Sequence, residues 1–260
     1  MAITHTEGFR TGIYRESPWY WPIEPLLARL DALGRFPLPE ELSLLHRERV
    51  ASTDVPALRF VAATKSRKKR PRTTPIEPSE LYEGRVTDKH EVPTRVDDWH
   101  DLFNALSFIA FPRAKRALHA RLYRIMRGRL GPNDKRLPNA RTREQDALAL
   151  FDEGGLCIAA PASLCAAMHE VDDVTLRAEL LRGSVRVVPF GHALYEHLVA
   201  RLPCPFGAAY VVPVEEALLA PHASVALLDR VDRALGLALA DPREFLLPSA
   251  ARGNALSALA

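Results

Sequence analysis

The stretch "VDDWHDLFNALSFIAFPRAK", Val96 to Lys115, sets an imidazole, a carboxylate and a carboxamide at the head of an otherwise apolar run. His100 and Asn104 are four residues apart, so on a helix they share a face, with Asp101 beside them. A helix N-terminus complements the Asp101 charge and lowers the pKa of His100. A neutral imidazole beside a carboxylate is equipped to act as a base or a metal ligand. The competing reading is structural, with Asp101 answering the helix dipole while His100 and Asn104 bond the preceding loop.

Two further groups carry the same residue types. In "QDALALFDEGG", Asp146, Asp152 and Glu153 lie on one helix, and acids in its last turn oppose the macrodipole by a few tenths to about 1 kcal/mol when exposed. They call for a partner: a metal, an arginine of the basic stretch or a neighbouring backbone. In "VVPFGHALYEHL", His192 begins a helix after a strand, at the edge where open parallel sheets bind ligands. His197 faces elsewhere, so the pair is not a two-histidine metal motif.

If His100, Asp101, Asn104, Asp146, Asp152 and His192 converge, they suit metal-assisted hydrolysis, with a divalent metal of unspecified identity as the cofactor they would admit. No Walker loop, GxSxG, HExxH or paired CxxC is present. Cys157, Cys165 and Cys204 lack metal-like spacing, and Cys157 and Cys165, among apolar neighbours, read as small core residues.

The elements that must position these groups follow from periodicity and punctuation. Two short helices are expected near the N-terminus, one ended by Gly34 and one begun near Pro39. A strand is expected from Ala57 to Ala63 and another around Leu81 to Thr87. The helix bearing His100 is capped by Asp97 or Asp98 and carries its main stripe on Trp99, Leu102, Phe103, Leu106, Ile109 and Ala110. Pro112 breaks it, and a basic amphipathic segment runs on to Gly131. Thr142 and Gln145 have capping-box spacing, and Gly154-Gly155 ends that helix. Strand-like and helical stretches then alternate. The fold class is α/β: a single mixed domain over 1–245, with a small largely parallel sheet flanked by helices and a helical N-terminal region. Residues 65–80 read as a basic flexible loop and 246–260 as a loose tail.

With 260 residues, 47% hydrophobic and 26% charged, the chain has ample core material and is not of disordered composition. No apolar run spans a membrane and the N-terminus has no signal-peptide order, so a cytoplasmic protein without a membrane partner is expected. The net charge of +3 is unevenly spread. Residues 102–143 hold eleven Lys or Arg and one acid, whereas from Glu144 onward eight Arg face fifteen acids. This asymmetry favours a phosphate-bearing partner, or else a basic face neutralised by the acidic half of the same molecule.

"WHDLFNALSFIAFPRAK" and "RTREQDALALFDEGG" resemble the two hallmark stretches of a bacterial domain-of-unknown-function family. The likeness runs from about Ser17 to about Phe245 and includes "EVPTR" and "FGHALYEHL". It implies a single-domain bacterial cytoplasmic protein and brings no activity with it. Relatives often end in a Gly-Pro-Trp-containing segment, which "FLLPSAARGNALSALA" lacks.

Two functions are therefore expected to compete. In one, the protein is a hydrolase or phosphoesterase whose anionic substrate, a small molecule, is gripped by Arg95, Arg113, Lys115, Arg141 and Arg143. In the other it is a non-catalytic protein that binds nucleic acid or a phosphate ligand through the basic segment and the run Lys65, Arg67, Lys68, Lys69, Arg70 and Arg72. Tyr123 is the one aromatic within the basic segment, and no base-reading motif accompanies it.

Overall fold

The computed structural model describes residues 8–63, 74–169, 172–202 and 208–243. The basic run 65–72 and the tail 246–260 lie outside the described residues, as does Cys204. Among the described residues there are ten α-helices and five short strands, a mixed α/β fold with a helical N-terminal region.

Helices α1 (Glu24–Asp31) and α2 (Pro39–Val50) come first, each with a proline in its first turn, where a missing N–H costs nothing. Strand β1 (Arg59–Ala62) pairs in parallel with β2 (Glu91–Thr94), Phe60 opposite Val92. Between them lies α3 (Tyr82–Asp88), where a strand was expected over Leu81 to Thr87. Tyr82 and Val86 are four residues apart, a helical spacing that β-propensity obscures. Gly84 also lies so close to the preceding turn that a Cβ would stand 2.2 Å from the Pro78 carbonyl oxygen.

Helix α4 (Trp99–Ala110) is the central strut. Asp98 caps it, its Oδ1 accepting the Asp101 N–H at 3.1 Å. The stripe Trp99, Leu102, Phe103, Leu106 and Ile109 is buried, and so are Ala105 and Phe108 on its flank. The helix is thus packed on two sides, each large side chain contributing roughly 1.5–3 kcal/mol. The chain turns at Phe111, and Pro112 starts α5 (Pro112–Arg127). Helix α6 (Arg143–Gly154) carries the expected capping box of Thr142 and Gln145.

Strand β3 (Leu156–Ala160) is wholly buried. Helices α7 (Ala162–His169) and α8 (Asp173–Arg182) lead to β4 (Arg186–Pro189), then α9 (His192–Val199) and β5 (Ala209–Pro213). The second sheet has the order β4-β3-β5. β3 runs parallel to β5 but antiparallel to β4. Two helices rather than one join β3 to β4, so the chain returns to the end of β3 that it left. The largely parallel arrangement thus takes the form of two small sheets with one antiparallel pairing.

Helix α10 (Ser224–Ala240) lies along α5, and Gly236 permits the approach: a Cβ there would meet the Arg113 Cβ at 3.0 Å. Buried Asp232 on α10 caps α5, accepting the Arg113 and Ala114 N–H groups at 3.2 and 2.9 Å. Burial pushes its carboxyl up to about 6, against those backbone bonds.

Candidate active site

The ends of α4, α5, α6 and α9 meet in one buried polar cluster. Lys115, the fourth residue of α5, is completely buried and donates to Asp152 Oδ1 at 2.6 Å and to Asn104 Oδ1 at 2.8 Å. Asn104 Nδ2 donates in turn to the Tyr82 hydroxyl at 2.9 Å. His119, one turn along α5 from Lys115, stacks on Phe108 with ring centres 5.1 Å apart. The Lys115 ammonium sits 4.6 Å from the same Phe108 ring.

His192 joins from α9. A close approach of two glycines brings it there: the Gly191 N–H donates to the Gly155 carbonyl oxygen at 2.9 Å. A Cβ on Gly191 would fall 2.4 Å from the Glu153 carbonyl oxygen, and one on Gly155 would fall 2.3 Å from that of Phe151. The first turn of α9 therefore abuts the last turn of α6, and His192 Nδ1 reaches the Asp152 carbonyl oxygen at 2.9 Å. Because β4 is antiparallel, His192 sits by the amino ends of β3 and β5, and the crevice expected beyond parallel carboxyl ends is not where it lies.

The cluster reaches solvent through His100. Its ring meets that of His192 edge to face, centres 4.6 Å apart, and its Nδ1 is hydrogen-bonded to Glu196, one turn along α9 from His192. The His100 side chain is 41% exposed, against 15% for Glu196.

Protonation follows burial and partners. Burial opposes the Asp152 charge, but the Lys115 ammonium, by its charge and its hydrogen bond, outweighs it and holds the carboxyl well below the usual range. Burial lowers Lys115, with the Asp152 carboxylate resisting. Burial also lowers His119 to about 4 and His192 to about 3, so both rings are neutral at pH 7. His100 moves the other way. Its bond to Glu196 raises it, overcoming partial burial, and the carboxylates of Glu196, Asp101 and Asp98 add to the rise. The helix-dipole expectation for His100 is thus reversed, because a hydrogen-bonded carboxylate acts at shorter range than the partial charge of a helix end.

Of the residues singled out in the sequence, His100, Asn104, Lys115, Asp152 and His192 come together. Asp101 does not join them. It turns to the preceding loop, taking the Arg95 N–H at 2.6 Å and the guanidinium at 3.0 and 2.7 Å. Asp146 is exposed, since six residues of helix leave it about 120° from Asp152.

The expected anion grip is dispersed as well. Arg95 is occupied by Asp98 and Asp101. Arg113 is occupied by Asp54, Asp229 and Asp232 at the α10 contact, and Lys115 by Asp152. Arg141 and Arg143 stand exposed at the far end of α6, Arg143 about 14 Å along the axis from Asp152 and Arg141 just before the helix. Arg141 and Arg129 line a cleft of 430 Å³ there, which none of the cluster side chains enters. Among the described residues no group of three or more His, Cys, Asp and Glu is arranged to hold a metal ion. Lys115 holds Asp152 Oδ1, while Oδ2 faces His119 Nε2 at 3.9 Å and His192 Nδ1 at 4.0 Å.

Three members were missed in the sequence. His119 shares a face with Lys115 and Glu196 with His192, each by a four-residue step, and those spacings were readable. Tyr82 was hidden by the reading of its helix as a strand. Both nitrogens of His119 are buried without a hydrogen-bond partner, His119 Nε2 lying 3.9 Å from Asp152 Oδ2.

The chain belongs to the family described as "Protein of unknown function (DUF3025)", whose family model matches residues 69–250. That span takes in the whole cluster, from Tyr82 to Glu196. None of the curated proteins and none of the solved structures matches the chain.

Proposed function

We propose that the protein is a hydrolase working by general acid–base catalysis at the His100 edge. One observation carries this reading: a carboxylate holds Nδ1 of the only imidazole in the cluster that reaches solvent. With Nδ1–H donated to Glu196, the Nε2 lone pair is left to take a proton from water as the oxygen attacks a carbonyl or phosphoryl centre. The imidazolium so formed is stabilised by Glu196 and returns the proton to the leaving group. His192, neutral beside it, adds no opposing charge. Behind the pair, the Asp152–Lys115–Asn104–Tyr82 network ties α3, α4, α5 and α6 together, the rigid support a site of this kind requires.

The local charges narrow the substrate. Asp98, Asp101 and Glu196 surround His100 against the single guanidinium of Arg95. An uncharged or cationic ester or amide suits this edge better than the anionic substrate expected from the overall charge asymmetry.

Purified protein assayed against chromogenic esters, amides, phosphomonoesters and phosphodiesters, with and without a chelator, tests the proposal. Turnover of an uncharged ester or amide that survives chelation and is lost in His100→Ala supports it. Turnover confined to phosphoesters, dependent on added metal or undiminished in His100→Ala contradicts it.

A further inference from the structure

The basic residues of α5 fall into two sets. Arg113, Lys115 and Arg121 pair inward with Asp229, Asp152 and Glu144, all from the acidic half of the chain. Arg116, Arg124 and Arg127 do not. Arg116 contacts His90 Nδ1 at 3.4 Å and Arg127 lies 5.5 Å from the Tyr123 ring centre. Among the described residues none of the three has a carboxylate partner.

These three line a continuous surface groove. Depressions of 460, 250 and 540 Å³ follow one another along the outer face of α5, the first against α10 and the loop 54–56, the second and third against the end of α3. The first two share Arg116, and the second and third share Thr87 and Ala120. From Arg113 to Arg127 the groove follows about 21 Å of helix axis. Ala117 and Ala120 keep it deep, and the Thr87 hydroxyl in its wall has no hydrogen-bond partner. Two acids line it: Asp54 at the near end pairs with Arg113, and Asp88 at the far end is bonded to the Tyr123 hydroxyl.

We propose that this groove binds the phosphodiester backbone of single-stranded nucleic acid. Arginine forks match phosphate oxygens in pairs, and unneutralised guanidiniums along a channel follow a chain that carries one charge per link. A duplex is too broad to enter depressions of this size and meets only the rim. An acidic peptide fits less well, because no β-strand lines the groove and so no sheet edge is offered for a peptide strand to extend. Base reading is not expected. The Tyr123 ring is buried and Arg127 covers it, so no aromatic platform is offered. The groove is separate from the His100 edge, and the inference does not rest on the proposed hydrolase activity.

The test is fluorescence anisotropy with a labelled oligothymidylate of roughly 20 nucleotides, titrated between about 50 and about 200 mM salt. Wild type is compared with Arg124→Ala/Arg127→Ala, two exposed positions whose loss leaves the melting point unchanged, and with Ala120→Gln, which fills the floor without altering charge. All three proteins keep the basic run 65–72, so the difference reports the groove. The expected result is binding by wild type that weakens at least about tenfold in the double variant, with the slope of log K against log salt reduced by about 1.4, roughly 0.7 for each lost phosphate contact. Ala120→Gln weakens binding too. No binding by wild type at low salt, an unchanged slope in the double variant, or equal or tighter binding of a duplex or a polyglutamate peptide overturns the proposal.

Discussion

The imidazoles of His100 and His192 meet edge to face, ring centres 4.6 Å apart, and titrate in opposite directions. His192 is enclosed and bonded to a carbonyl oxygen, so burial keeps it neutral. His100 leans into solvent with Glu196 on its Nδ1, so it holds a proton more readily than a free imidazole. The contrast marks His100 as the chemical edge of the cluster and His192 as part of its wall.

Asp152 and Lys115 form the cluster's structural centre. Asp152→Ala leaves a fully buried ammonium without its counter-ion and is expected to cost about 3–5 kcal/mol. Lys115→Met costs a similar amount by stranding the carboxylate. The double replacement Lys115→Met/Asp152→Leu recovers a large part of the loss, because neither charge is then orphaned. Urea unfolding of the three variants measures the coupling, and additive losses would contradict a direct buried pair.

Acid acts on the two enclosed histidines. Their folded pKa values, about 4 for His119 and about 3 for His192, lie below the unfolded value of 6.5. As pH falls through 6.5 the unfolded chain takes up protons that the folded chain refuses. Stability therefore drops by about 1.4 kcal/mol per pH unit for each ring, until about pH 4 and about pH 3 respectively. His100 contributes with the opposite sign: its pKa is raised, so its stabilisation is complete below 6.5 and is lost as pH rises through the folded value. His119→Phe preserves the stack on Phe108 and removes one of the acid-sensitive groups, leaving His192 and the buried His46, which is lowered to about 4. Unfolding free energies at pH 7, 6 and 5 should fall less steeply in that variant, by about 0.7 kcal/mol between pH 7 and 6 and about 1.2 kcal/mol between pH 6 and 5. An unchanged slope would show that His119 is not held neutral.

The glycine contact that seats His192 is equally open to test. Gly191→Ala drives a Cβ into the Glu153 carbonyl and is expected to cost about 1–3 kcal/mol while loosening His192 from α6. Thermal melts check the cost. A variant as stable as wild type would mean that the backbones of α6 and α9 are not in forced contact.

Much of this architecture was legible in the sequence because it depends on local signals. The cap at Asp98, the break at Pro112, the capping box at Thr142 and the alternation of strands and helices after Gly155 are each set by neighbouring residues. Convergence entered the sequence reading only as a condition; the structure brings His100, Asn104, Asp152 and His192 together and leaves Asp101 and Asp146 apart. What remained hidden depends on the third dimension. Periodicity cannot tell whether Arg113 finds Asp232 or a ligand, because the partner lies far along the chain. It cannot show that Asp101 faces a loop, that Glu196 faces His100, or that β4 runs antiparallel. Tyr82 was lost to a β-prone helix of only seven residues.

The most direct measurement of the central claim is the pH dependence of kcat/KM for an uncharged ester in wild type and Glu196→Gln. If His100 is the general base held by Glu196, activity rises with pH through a single ionisation above 6.5, the ordinary histidine value. In Glu196→Gln that ionisation moves to lower pH, because the partly buried imidazole has lost its carboxylate, and the plateau falls. A profile without an ionisation in that range, or one left in place by Glu196→Gln, would contradict the account.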